Sequence, residues 1–239
     1  MAAVRTLMRY PKGKPEPIGL LNRVRLKELG EPLVHLRRAC PGIRVLRSTA
    51  VPYLRERVAG MLQRARQSLA PDYDIGVREA WRSLERQRLI YDTYFERLRR
   101  ERPELPYAAL RRLANRYFAP YDQKAPPGHS TGGAVDVWLL DARGKPIDLH
   151  GPGERFASSA TFQPDLPKEI LDLRLLLYRA LTKEGFTNCK DEWWHYSFGD
   201  AAWAVRSGRK TCIYGYIEPP RSAYRAKDLR FRKEFLTKQ

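Results

Sequence analysis

The sequence predicts an α+β domain, and two patterns carry that reading. Four stretches place apolar residues at helical spacing: Leu54, Val58, Leu62, Ala65 and Leu69; Leu84, Tyr91, Phe95 and Leu98; Tyr107, Leu110, Leu113 and Tyr117; Ile170, Leu173, Leu177 and Leu181. Short apolar runs bounded by turn residues lie between and after them, without the regular strand–helix alternation of a parallel sheet. With 239 residues, 43% of them hydrophobic, and five Trp and thirteen Tyr, the chain can enclose one proper core.

Residues 1–50 read as an N-terminal arm and loop extension. Pro11-Lys12-Gly13-Lys14-Pro15-Glu16-Pro17 cannot hold a helix or a central strand. The apolar pieces Pro32-Leu33-Val34 and Ile43-Arg44-Val45-Leu46 predict one or two strands within loop. The first helix is expected from Tyr53, between Pro52 and Pro71. Ile75 and Val77 alternate as a short strand leading to Trp81-Arg82, and the second and third helices follow. The stretch from Pro126 to Leu140 begins as a turn and ends as an apolar strand, and Asp141 to Pro146 reads as a polar turn. A fourth helix takes Pro167 as its first residue and stops at Gly185. Residues 186–198 and 211–217 read as strands. Residues 221–239 form a basic tail, seven Lys/Arg against two acids, either docked on an acidic surface or solvated.

The formal net charge of +18 is spread as arginines at helix-surface spacing, not as one basic patch interleaved with aromatics, so nucleic acid is not the expected partner. Three widely spaced cysteines, Cys40, Cys189 and Cys212, make neither a disulfide framework nor a zinc knuckle and read as reduced thiols. No apolar run reaches the ~18 residues of a membrane helix. The first ten residues lack the apolar core of a signal peptide, so a cytoplasmic location is expected.

The chemistry gathers in two places. His129 and Asp136 are separated by six residues, on a stretch containing Gly132-Gly133 that is suited to folding one ligand back toward another. Further on, Asp191-Glu192-Trp193-Trp194-His195-Tyr196 supplies a second histidine and a carboxylate three residues before it. Imidazole nitrogen with carboxylate oxygen favours zinc, and two His with one Asp leave a fourth position open, as catalytic zinc requires. Glu192 is the natural proton acceptor. On a flat strand it would face away from His195, so a bend is required there. Trp193 and Trp194 read as walls that exclude water. His35 and His150 read as structural, and Cys189 as a buried inert thiol.

His129-x6-Asp136 and Glu192-Trp193-Trp194-His195 are flanked by Glu79-Ala80-Trp81-Arg82 upstream and Phe198-Gly199-Asp200-Ala201-Ala202-Trp203-Ala204 downstream. In that order, over roughly residues 50–218, they resemble the zinc D-Ala-D-Ala dipeptidases associated with vancomycin resistance. The wider relatives are the D,D-carboxypeptidases, lysostaphin-type endopeptidases and the hedgehog domain. The resemblance implies a single domain over residues 51–220, a small antiparallel sheet carrying the zinc site with helices around it. It implies Zn2+ on His129, Asp136 and His195, Glu192 as general base, Arg82 stabilising the oxyanion, and a small D,D-dipeptide or cell-wall peptide as substrate. Two departures bear on substrate. Pro127-Gly128 stands where the dipeptidases carry serines, and Ala157 stands where they carry an aspartate that helps hold the substrate's amino group. Glu154, after Gly151-Pro152-Gly153, is the candidate substitute. A D,D-carboxypeptidase or endopeptidase on peptidoglycan stem peptides, and a non-catalytic zinc-containing binding module, stay open as alternatives.

Overall fold

The computed structural model describes residues 18–152 and 158–238. In chain order its elements are α1 (Ile18–Leu21), β1 (Arg25–Leu26), β2 (Leu33–His35), α2 (Leu36–Ala39), β3 (Arg44–Val45), β4 (Tyr53–Arg55), α3 (Glu56–Gln67), β5 (Tyr73–Glu79), α4 (Leu84–Glu101) and α5 (Tyr107–Tyr117). After a 3-10 turn at Gly128–Thr131 come β6 (Ala134–Asp141), α6 (Lys168–Lys183), β7 (Thr187–Asn188), β8 (His195–Ser197), α7 (Ala201–Arg206), β9 (Thr211–Cys212) and α8 (Arg225–Thr237).

The principal sheet runs β3-β5-β6-β8-β7. Its β5, β6, β8 and β7 pair antiparallel, while β3 adds a parallel edge to β5. Strand alternation explains its two faces. Ile75, Val77, Val135, Val137 and Leu139 share a buried cluster with Val58, Leu62 and Ala65 of α3 and Leu177 and Leu181 of α6. Burying each such Val, Ile or Leu side chain contributes roughly 1.5–3 kcal/mol, enough to hold the strands in one register. Asp136, one residue out of phase, faces the other way. A second cluster joins α4 to α5 through Tyr91, Leu98, Leu110 and Ala114.

Several elements differ from the sequence expectation, each for a local reason. The first helix starts at Glu56, because residues 53–55 are taken into antiparallel pairing with β2. Residues 18–50 contribute strands to three sheets: β1 pairs with β9, β2 with β4, and β3 with β5. Beyond Cys212 the expected strand leaves its ladder, since Ile213 and Tyr214 donate to the Gly199 carbonyl and Gly215 to the Glu28 carboxylate. The basic tail forms a 3-10 turn at Arg221–Ala223 and then α8, which buries Phe231 and packs on α4. Arginines with i,i+4 acidic partners do cover helix surfaces, as at Arg88 and Arg97, but Arg55, Arg86 and Arg174 are buried. No described helix is long and apolar enough to cross a membrane.

Candidate active site

His129 sits in the 3-10 turn before β6, and two glycines shape that turn. Gly132 closes it at φ +70°, a left-handed backbone natural to glycine. At Gly128 a Cβ would lie 2.5 Å from Asp200 Oδ2, so the chain here approaches the residue before α7 closely. The His129 ring is buried, with Nδ1 2.8 Å from the Ala80 carbonyl. That bond places the proton on Nδ1 and leaves the Nε2 lone pair facing the pocket.

The sheet brings the other two candidate ligands together. Asp136 on β6 and His195 on β8 are directly opposite in register, so their side chains share a face. Asp136 Oδ1 lies 2.9 Å from His195 Nδ1 and 3.3 Å from His129 Nε2. The potential ligand atoms of all three residues lie within 4.8 Å of one another. Burial opposes ionisation of Asp136, but the two imidazoles outweigh it and hold its carboxyl well below the usual range. A carboxylate oxygen between two ring nitrogens, with one imidazole tautomer already set by a backbone carbonyl, fits a small divalent cation.

The bend expected before His195 is present. Residues 189–194 leave the strand, and the Glu192 carbonyl accepts from the His195 amide at 3.2 Å and from Asn188 Nδ2 at 3.0 Å. This turn brings the Glu192 carboxyl within electrostatic reach of His195, Asp136, Arg82 and Arg206. Burial pushes it up to about 7; His195 and Arg82 pull it down and Asp136 adds to the rise.

Arg82 enters from the loop between β5 and α4. Its amide donates to the His129 carbonyl at 3.3 Å, and its carbonyl accepts from Ser130 Oγ at 2.9 Å. Nη1 donates to Gln87 Oε1 at 2.8 Å, while Nη2 stands 3.8 Å from Glu79 Oε2 and 3.9 Å from Asp136 Oδ2. Its buried Nε has no hydrogen-bond partner among the described residues. Glu79 and Gln87 were not singled out from sequence. Glu79 lies in the Glu79-Ala80-Trp81-Arg82 motif, yet it faces Asp136 only through a register shift between Val77 and Glu79, which no spacing rule reveals.

The other sequence readings find their places. Trp193 is buried against Trp138 and His150, and Trp194 stacks on Trp138, so both line one aromatic wall. His150 bonds Asp148, and His35 caps α2 by accepting from the Arg37 amide. Cys189 is partly exposed, not buried as expected, because it lies in the turn between β7 and β8; Cys40 and Cys212 are buried free thiols. Glu154 and Ala157 lie outside the described residues. On either side of them, buried Arg174 donates to the carbonyls of Leu149, Ser158 and Ala160.

The sequence model of the D-ala-D-ala dipeptidase family matches residues 70–211, a span that contains Arg82, His129, Asp136, Glu192 and His195. A D-alanyl-D-alanine dipeptidase of Synechocystis is 30% identical over 198 residues, covering 70% of this chain and 80% of that protein. One from Escherichia coli is 32% identical over 117 residues, 48% of this chain and 57% of that protein. Among solved structures, the LdcB LD-carboxypeptidase aligns over 76% of this chain and 75% of its own, with a TM-score of 0.40 and 18% identity. A family match across more than half of the chain, with a relative aligned over most of both lengths, places this protein in the D-ala-D-ala dipeptidase family of peptidases.

Proposed function

We propose that the protein is a zinc-dependent dipeptidase that hydrolyses the peptide bond of D-Ala-D-Ala or a related D,D-dipeptide. The observation that supports this most is the convergence of His129 Nε2, Asp136 and His195 Nδ1 on one point, beside Glu192 and Arg82. His129, Asp136 and His195 would hold the zinc, which supplies Lewis acidity to polarise the scissile carbonyl and acidify water. Glu192, whose carboxyl burial raises above its usual range, accepts a proton from the attacking water and passes it to the leaving amine. Arg82 offers its guanidinium to the oxygen that gains charge as the carbonyl becomes tetrahedral. The wall of Trp138, Trp193 and Trp194 excludes bulk water and strengthens these charge interactions. Glu154 pairs with the free ammonium group of the dipeptide.

A carboxypeptidase acting on stem peptides is the second reading, favoured by Ala157, where the dipeptidases carry the aspartate that holds that ammonium. Purified protein is expected to carry one zinc per chain and lose it in His129→Ala and His195→Ala. Its kcat/KM should be higher for D-Ala-D-Ala than for the N-acetylated analogue or a stem pentapeptide. Better cleavage of the blocked or longer substrates selects the carboxypeptidase. Zinc binding with no hydrolysis of any D,D-peptide leaves a binding module.

A further inference from the structure

We propose that α8, the C-terminal helix beyond the family match, positions the active-site guanidinium: Asp228 and Phe231 hold Arg86 on Glu79, which keeps Arg82 free to face Asp136 and the substrate. The inference rests on the assignment of Arg82 to oxyanion stabilisation.

The residues on both sides of Arg82 are anchored by the C-terminal segment. Trp81 is fully buried; its Nε1 donates to the Ile217 carbonyl at 2.6 Å, and its ring lies 4.8 Å from that of Tyr224. Ser83, also fully buried, donates its hydroxyl to Asp228 Oδ2 and accepts the Arg86 amide at 3.1 Å, capping α4. Arg86 is held in turn. Its Nη1 donates to the Thr49 carbonyl at 2.8 Å and lies 3.8 Å from Asp228 Oδ1, and its guanidinium sits 3.7 Å from the centre of the Phe231 ring.

The consequence is a competition for one buried oxygen. Glu79 Oε2 accepts from Arg86 Nη2 at 2.8 Å, while Arg82 Nη2 stands 3.8 Å away, outside hydrogen-bond reach. A third guanidinium, Arg47, is 4.0 Å away and 41% exposed, so it is the weaker rival. A carboxylate as buried as Glu79 cannot stay unpaired without a large desolvation cost. With Arg86 unseated, Glu79 draws in Arg82, moving Nη2 off its place beside Asp136. A displacement of about 1 Å in a catalytic group costs on the order of a hundredfold in rate, so a small shift suffices.

The test uses full-length, zinc-loaded protein labelled with 15N-arginine, in the variants Asp228→Asn, Asp228→Glu and Phe231→Leu. Asp228→Asn keeps the shape and removes the charge. It should lower kcat for D-Ala-D-Ala about tenfold with KM within about twofold, and Asp228→Glu should restore much of the loss. In an Arg82→Ala background the Asp228→Asn change should have no further effect, since the route through Arg82 is already gone. The Nε–H resonance of Arg82 should shift in Asp228→Asn and in Phe231→Leu. An unmoved Arg82 resonance overturns the proposal, as does an equal kcat loss in the Arg82→Ala background. If wild-type protein cleaves no D,D-peptide, the dipeptidase reading fails, and the Arg82 resonance alone decides the positioning role. Should Asp228→Asn fail to fold, Phe231→Leu carries the same comparison.

Discussion

Asp136 and His195 reach the pocket from paired strands, whereas His129 and Arg82 reach it from loops that belong to no ladder. On the strand side, apolar residues on the far face of β6 hold the register, and the register puts Asp136 and His195 opposite each other. On the loop side the order comes from distant polar groups. His129 bonds the Ala80 carbonyl, and Arg82 is clasped by Ser130. Arg55, 1% exposed, reaches from β4 to the carbonyls of Thr131, Glu31 and Gly215. One wall thus depends on burial without direction, the other on directed bonds with a single geometry. The strand wall should tolerate conservative apolar change, and the loop wall should not tolerate loss of a donor.

The largest expected effect falls between the walls. Glu192→Gln should keep its zinc and lose about 10²–10⁴ in kcat, since only proton transfer is removed. The wild-type kcat/KM should rise with pH as Glu192 ionises, because burial has raised its carboxyl to about 7. A bound cation pulls that value down, so the acidic limb should lie no higher than about 7 and vanish in Glu192→Gln. A variant within threefold of wild type removes the general-base role.

The next effect separates the walls directly. Arg55→Met leaves three carbonyls without their donor and should cost roughly 3–5 kcal/mol of stability, with weaker zinc binding in the folded fraction. Leu139→Ala opens a cavity in the strand wall and should cost about 2–5 kcal/mol, yet leave zinc affinity and kcat of the folded protein nearly unchanged. Urea unfolding with zinc titration checks both. Equal loss of zinc affinity in the two variants would erase the distinction between the walls.

The smallest effect is on substrate hold. Glu154→Ala should raise KM for D-Ala-D-Ala about tenfold while kcat moves little, as loss of one charge-assisted contact predicts. Steady-state kinetics on the free and N-acetylated dipeptides decide it. An unchanged KM ratio between the two substrates rules Glu154 out as the ammonium partner.

What could be read from the residues alone follows from local physics. The four helices show through 3.6-residue spacing, and the turn before β6 shows through its prolines and glycines. The donor types at His129, Asp136 and His195 suggest a metal before any coordinates exist, and the spacing of Glu192 from His195 demands the bend that residues 189–194 supply. The tertiary structure decided what depends on partners far along the chain. Residues 53–55 became strand because β2 pairs with them, and the tail became a docked helix because Phe231 and Asp228 find Arg86 and Ser83. Arginines that look alike in sequence were divided into surface ion pairs and the buried Arg55, Arg86 and Arg174. Glu79 came to face Asp136 through a bulge. Periodicity records which side of an element is apolar; it carries no information on which distant carbonyl or carboxylate will meet a given guanidinium, and in this protein those meetings build the loop wall of the site.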